Sequence, residues 1–118
     1  MMSIVTISMP RGDIRPIQFT VIDQAGGKSA IEFDEIYFTV KRSYHDNNFL
    51  FQKRLGNGTI ETLDDGSYRF VIQAIDTDNL SVGKYVFDIE LVLGDEIKQT
   101  TVGEFILTPE VTFASNEG

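Results

Sequence analysis

Apolar and polar residues alternate with a period of two along most of the chain, and no segment carries apolar residues at helical spacing. The run IQFTVI sets Ile17, Phe19 and Val21 against Gln18 and Thr20. EIYFTVK sets Ile36, Phe38 and Val40 against Tyr37, Thr39 and Lys41. NFLFQK alternates Phe49 and Phe51 with Leu50 and Gln52, and SYRFVIQA offers Tyr68, Phe70 and Ile72 opposite Arg69, Val71 and Gln73. KYVFDIELVL is the longest run, with Tyr85, Phe87, Ile89, Leu91 and Leu93 on one side and Asp88 and Glu90 on the other. EFILT closes the series with Phe105 and Leu107 inward. Such alternation packs one face of each strand on a core and turns the other to water or a partner.

Turn residues separate these runs. Asn57-Gly58 and Asp65-Gly66 tolerate the backbone conformations of tight turns, and Gly94-Asp95 predicts a hairpin between the last two long strands. The longest loops are expected at QAGGKSA (24–30) and SYHDNN (43–48). Seven to eight strands at this cadence predict an all-β fold, a β-sandwich, with a closed barrel as the rival architecture. DTDNLSVGKY is the one stretch expected to form a short helical turn, with Asp76 or Asp78 as its cap and Leu80 tucked beneath the sheet edge. Gly83, two residues before Tyr85, fits either a tyrosine corner, whose phenol bonds upstream backbone, or a plain core aromatic. Gly103 is expected to mark a bulge in the last strand.

A length of 118 residues suits one domain, 1–118, with an ordered core over about 3–113 and a loosely tied tail at 114–118. Nine Phe and four Tyr, with many Ile and Val, reinforce the strand reading. The net charge of −8 argues against nucleic acid and anionic membranes as partners. Every apolar run falls short of the roughly 20 residues that span a bilayer. Met1-Met2-Ser3-Ile4 lacks the basic and apolar regions of a signal peptide. The absence of cysteine removes disulfides, thiolate metal sites and Cys nucleophiles, and fits a reducing cytoplasm.

Candidate chemistry is sparse. Arg11-Gly12-Asp13 reads as a turn into a strand, since Gly12 permits the bend and Asp13 can bond the following backbone; an adhesion role is the lesser alternative. Pro16 suits the start of an edge strand. His45, the single histidine, lies in a polar loop with no nucleophile elbow in the chain and too few nitrogen ligands for zinc. The acidic pairs Asp64-Asp65, Asp76/Asp78 and Asp95-Glu96 read as turn and cap residues, and the calcium-loop pattern fails for want of its Gly and distal Glu. No cofactor or metal is expected, and no enzyme activity. The outward apolar residues carry more information: Ile22, Leu50, Val71, Ile75, Val86, Val92 and Ile106 fall where a monomeric sandwich would place polar ones. The expected interface is Val71, Ile75, Val86, Val92 and Ile106, with Asp88 and Glu90 giving polar register; the alternative is that some of the outward apolar residues belong to strands covered on both faces by a loop or terminus. Phe49, Phe51 and Tyr37 form an alternative surface, an aromatic platform for sugars, and Tyr37, Tyr44 or Phe49 are the residues expected to stack on glycans.

The order of motifs is itself informative: MPRGDIRPIQFTVID, EIYFTVKRS, FQKRLGNGTIE, DDGSYRFVI, DTDNLSVGKYVFDIELV, TTVGEFILTPEVT. This series resembles the N-terminal domain of the phage baseplate upper protein family, over about residues 8–113. Its strongest block runs from Asp76 to Thr112, where DT-x-x-L-x-x-G-x-Y-x-[FY]-D and G-x-F-x-[IL]-TP-x-VT occur together. The resemblance implies an immunoglobulin-like antiparallel β-sandwich in a tail, baseplate or connector. Implied partners are other phage structural proteins or further copies of the chain, in the virion or in the bacterial host cytoplasm during assembly. It also implies that the Arg-Gly-Asp turn opens an early strand without adhesion; Ile14 departs from the Thr usual after it. Family members continue into long receptor-facing regions, whereas this sequence stops after the sandwich, which favours an assembly or adaptor role over host binding. The alternative function is a carbohydrate-binding module for host-surface glycans.

Overall fold

The computed structural model describes residues 5–22, 25–29 and 31–110. The outermost residues of the expected core, 3–4 and 111–113, and the expected tail 114–118 lie outside the described residues. In chain order the elements are β1 (Val5–Pro10), β2 (Arg15–Phe19), β3 (Glu35–Lys41), β4 (Phe51–Arg54), β5 (Ile60–Thr62), β6 (Tyr68–Ile72), α1 (Ala74–Thr77), β7 (Gly83–Leu93) and β8 (Glu96–Thr108). A five-stranded sheet has the order β1-β8-β7-β3-β4, and a three-stranded sheet has the order β2-β6-β5. Among the described residues no ladder joins the two sheets, so the architecture is a sandwich and not a barrel. No helix among the described residues is long and apolar enough to cross a membrane.

The inward rows are the ones the alternation predicts. Ile36, Phe38 and Val40 of β3, Tyr68, Phe70 and Ile72 of β6, Tyr85, Phe87 and Leu91 of β7, and Phe105 and Leu107 of β8 are all buried in one cluster. Ile17, Phe19 and Val21 pack against it from the edge of the smaller sheet. Phe38 sits at the centre, its ring centroid 4.3 Å from Phe70 across the sandwich and 5.3 Å from Phe87 on the neighbouring strand. β4 departs from the expected alternation: Phe51 is buried, but Phe49 is 52% exposed and Leu50 leans partly against the core. The cause is that β4 starts only at Phe51, so Phe49 and Leu50 still belong to the loop that leaves β3.

Three further expectations change. The pairing of β1 with β8 is parallel, against the expected all-antiparallel arrangement, while the other ladders are antiparallel. Both strands run toward the same end of the sandwich, where the Arg11-Gly12-Asp13 turn carries the chain across to β2 in the other sheet. β8 is also far longer than EFILT, because the two-residue turn at Gly94-Asp95 lets Glu96 pair at once with Leu93. Finally, the irregularity in β8 is not at Gly103. Leu91 pairs with Gln99 and Val92 with Ile97, which leaves Lys98 as the extra residue, while buried Gly103 sits in regular register opposite Phe87.

The Arg-Gly-Asp turn is a structural junction. Gly12 has φ +83°, a left-handed conformation that L side chains rarely adopt, and its N–H donates to Thr77 Oγ1 at 2.8 Å. The Arg11 guanidinium donates to Glu110 Oε1 through Nε (3.0 Å) and Nη2 (2.8 Å) and to the Leu80 carbonyl at 3.3 Å. The arginine thus ties the end of β8 to the loop after α1, and only Asp13 is left fully turned to solvent. In that loop the Tyr85 hydroxyl donates to the Ser81 carbonyl at 2.7 Å, which realises the tyrosine corner, and Leu80 packs against the core as expected. Asp76 stabilises α1 from the third helical position, accepting from the Gln73 N–H at 2.8 Å; Gln73 holds the cap position, and Asp78 follows the last helical residue.

Candidate functional site

Strand parity brings most of the expected interface onto one surface. Successive side chains of a strand point to opposite faces, so with Tyr85, Phe87 and Leu91 inward, Val86, Asp88, Glu90 and Val92 all point away from the core. Ladder partners share a face. Val86 lies between Lys41 and Glu104, Asp88 between Thr39 and Val102, Glu90 between Tyr37 and Thr100, and Val92 between Glu35 and Ile97; Ile106 lies beside Lys84. Five of the seven expected residues therefore share the outward face of the five-stranded sheet: Val86, Asp88, Glu90, Val92 and Ile106. Val71 does not join them, because it is an outward residue of β6 in the other sheet. Ile75 is 75% exposed on α1, beyond the strands of either sheet.

This face is partly dry at its centre. Thr39 is buried although its row points outward, and its hydroxyl accepts from the Gln52 amide at 3.0 Å. Tyr44 folds back from the 43–48 loop and donates its hydroxyl to the Gly103 carbonyl at 2.8 Å. Burial raises its phenol pKa, with Glu104 and Asp88 adding to the shift. At the lower end, Arg54 lies over Tyr37, guanidinium carbon to ring centroid 5.2 Å, and donates to Glu35 at 3.0 Å. Burial works to raise the Glu35 carboxyl, but hydrogen bonds from Gly56 N–H, Arg54 and Ile36 N–H outweigh it and hold it below its ordinary value. Glu35 is thus a fixed anion that braces a turn.

Asp88 differs. Burial raises its carboxyl above the ordinary aspartate range, the neighbouring Glu90 charge raises it further, and Lys41 offsets part of the rise. As pH falls, such a group takes up its proton in the folded chain before the unfolded one. The penalty of its charge is therefore full at neutral pH and lifts as pH drops through the raised folded value. Asp88→Asn should melt above the parent at pH 7, and the gap should close below the ordinary aspartate value of about 3.9. Thermal melts from pH 7 to pH 3 check this, and a variant no more stable than the parent at pH 7 contradicts it.

Little else gathers into a site. His45 is exposed in its loop. Asp65 accepts from the Ser67 N–H and hydroxyl, contacts that lower its carboxyl below the ordinary value and mark it as a turn former. Among the described residues no group of three His, Asp or Glu side chains is arranged to hold a metal ion. Of the four aromatics weighed as a sugar platform, Phe51 is buried in the core and Tyr37 lies beneath Arg54, while Tyr44 and Phe49 are about half exposed. Val102 and Ile97 escaped the sequence reading, and Thr39 was set outward there but left out of the interface. The signal was available for the first two, since an eleven-residue β7 followed by a two-residue turn needs a partner starting at Glu96.

No family model matches the chain, and no curated protein matches it. Among solved structures it is similar to the NK cell receptor Nkp44, described as a triggering partner in natural cytotoxicity. The TM-score is 0.54 over 90% of this chain and 99% of that one, at 8% sequence identity. At that identity the likeness shows the fold alone: the sandwich is immunoglobulin-like.

Proposed function

We propose that this chain is a non-enzymatic assembly domain of a phage or prophage particle, a tail, baseplate or connector component acting through protein–protein contact. The observation that carries the reading is the shared outward face of Val86, Asp88, Glu90, Val92 and Ile106. Apolar residues interleave there with a carboxylate pair, the composition of a surface that excludes water and sets register at once. A specific interface removes about 800 Å² from each partner, and one face of a five-stranded sheet is ample for that. Repetition in a symmetric ring would multiply a modest contact. The phage setting rests on the resemblance of the ordered motifs to those of the baseplate upper protein domain, and the proposed partners are other structural proteins of the particle or further copies of the chain. Glycan recognition has less support, because Arg54 already covers the ring of Tyr37.

The test uses particles from an induced lysogen carrying the gene. Mass spectrometry of purified virions should find the chain at a fixed ratio to the major tail proteins. Val92→Arg with Ile106→Arg should cut its incorporation at least tenfold while leaving the isolated domain folded. Absence of the chain from particles, or full incorporation of the double variant, counts against the proposal.

A further inference from the structure

The strands define two ends of the sandwich. At the upper end β1, β3 and β6 finish and β2, β4 and β7 begin, as the ladders Pro10 to Thr108, Lys41 to Val86 and Arg15 to Ile72 show. Hydrogen bonds from Gly12 to Thr77 and from Arg11 to Leu80 tie the connections of the two sheets together there. At the lower end lie the Gly94-Asp95 turn, the turn before Ser67 and the described parts of the segment between β2 and β3. Eight large apolar side chains are exposed among the described residues, and seven of them sit at these two ends. Ile14, Phe49, Ile75 and Val82 are at the upper end, and Ile22, Ile31 and Ile97 at the lower. Tyr44, the eighth, folds over the sheet face. Apolar residues scattered singly over a surface need no explanation, but an apolar group at each end of the same molecule marks two contact surfaces.

Charge divides along the same axis. The lower end carries Glu32, Asp34, Asp64, Asp65, Asp95 and Glu96, all exposed, and Lys28 and Lys98 offset only part of that charge. At the upper end Lys41 and Arg42 leave β3 close to Lys84 at the start of β7. Lys84 reaches Glu104 at 3.6 Å, while Lys41 and Arg42 make no ion pair among the described residues. Asp13, Asp46 and Asp78 balance these cations in number, so the upper end is near neutral with a basic border on the five-stranded sheet. The hairpin tip Asp95-Glu96 is the acidic border of that same sheet at the other end. We infer that copies of this chain join end to end, the upper end of one against the lower end of the next. The contact buries Ile14, Ile75 and Val82 against Ile22 and Ile31 of the neighbour and sets the neighbour's hairpin tip against Arg42. Two lower ends cannot meet in this way, because six carboxylates would oppose six. The molecule measures 51 × 33 × 29 Å, so an end of 33 × 29 Å has room for the 800 Å² or so that a specific interface takes from each partner. A contact between unlike surfaces repeats, and it builds a ring or a filament. It uses the ends alone and holds whatever the sheet face contacts.

Sedimentation velocity and light scattering of the full chain at rising concentration test this. The mass should climb past that of a dimer, because each added copy brings a further open end, and added salt should weaken the association. Ile14→Glu with Ile75→Glu blocks the upper end, and Ile22→Glu with Ile31→Glu blocks the lower. Either pair alone should weaken association by roughly tenfold or more. An equimolar mixture of the two variants should form a dimer with one chain of each, since one intact upper end then meets one intact lower end. All four residues are exposed, so both variants should keep the parent's circular dichroism. If one of them unfolds, an exchange of charge decides: Arg42→Glu or Asp95→Arg alone should weaken association, and the two in one chain should restore it. A parent that stays monomeric at every concentration overturns the inference. So does a variant that associates like the parent, a mixture of folded variants that stays monomeric, or a charge exchange without recovery.

Discussion

Phe38→Ala should destabilise the fold by about 3–5 kcal/mol. The side chain has no exposed surface, and its ring lies against Phe70 at 4.3 Å, Phe87 at 5.3 Å and Phe51 at 6.2 Å between centroids. It therefore links β3 to both its sheet neighbours and to β6 across the sandwich. Removing it takes away the transfer energy of the ring and leaves a void that three rigid aromatics cannot easily fill. Each kcal/mol moves the midpoint by roughly 3–6 °C at this size, so the variant should melt roughly 10–30 °C below the parent. Phe38→Leu keeps most of the volume and should cost under about 1.5 kcal/mol. Urea melts with unchanged slopes would measure both. A loss below about 1 kcal/mol for the alanine variant would mean that the two sheets do not pack through this ring.

Those inward rows were legible because burial in a sheet obeys a local rule. Period-two alternation names the core residues of a strand without knowledge of its neighbours, and Ile36, Phe38, Val40, Phe70, Phe87 and Phe105 were all found that way. The rule is silent about which sheet a strand joins. β1 and β2 are adjacent in sequence yet belong to different sheets, and β1 finds its partner near the other end of the chain. The candidate interface shows the same division. Val86, Asp88, Glu90 and Val92 share a face because they belong to one strand, so parity alone settles them. Ile106 follows because a tight hairpin locks β8 against β7. Val71 was grouped with them only because it too is outward and apolar, and no local feature says that β6 lies in the opposite sheet.

Position 53 marks the limit of pattern reading. Parity with Phe51 turns Lys53 inward, and a lysine in an inward row demands an anionic partner. The need is visible in the sequence. The identity of the partner is not, since the carboxylate sits 23 residues away on α1.

Asp76→Ala, which removes that carboxylate, should also cost about 3–5 kcal/mol. Lys53 Nζ lies 2.6 Å from Asp76 Oδ2, with side-chain exposures of only 10% and 13%. Loss of the carboxylate leaves a buried ammonium group unpaired, and it also frees the Gln73 N–H that the same oxygen accepts at 2.8 Å. Asp76→Asn keeps an acceptor for Gln73 but not the charge, and should fall between the parent and the alanine variant. Lys53→Met with Asp76→Leu should recover much of the loss, because a matched apolar pair no longer buries a charge. The double-mutant cycle then separates the pair from the cap. The effect should also reach the Arg-Gly-Asp turn. Thr77, next to Asp76, accepts the Gly12 N–H, so a loosened α1 should speed exchange of the Gly12 amide while the centre of β3 stays protected. An Asp76→Ala variant within about 1 kcal/mol of the parent would show that water reaches Lys53 and that the pair is a surface contact.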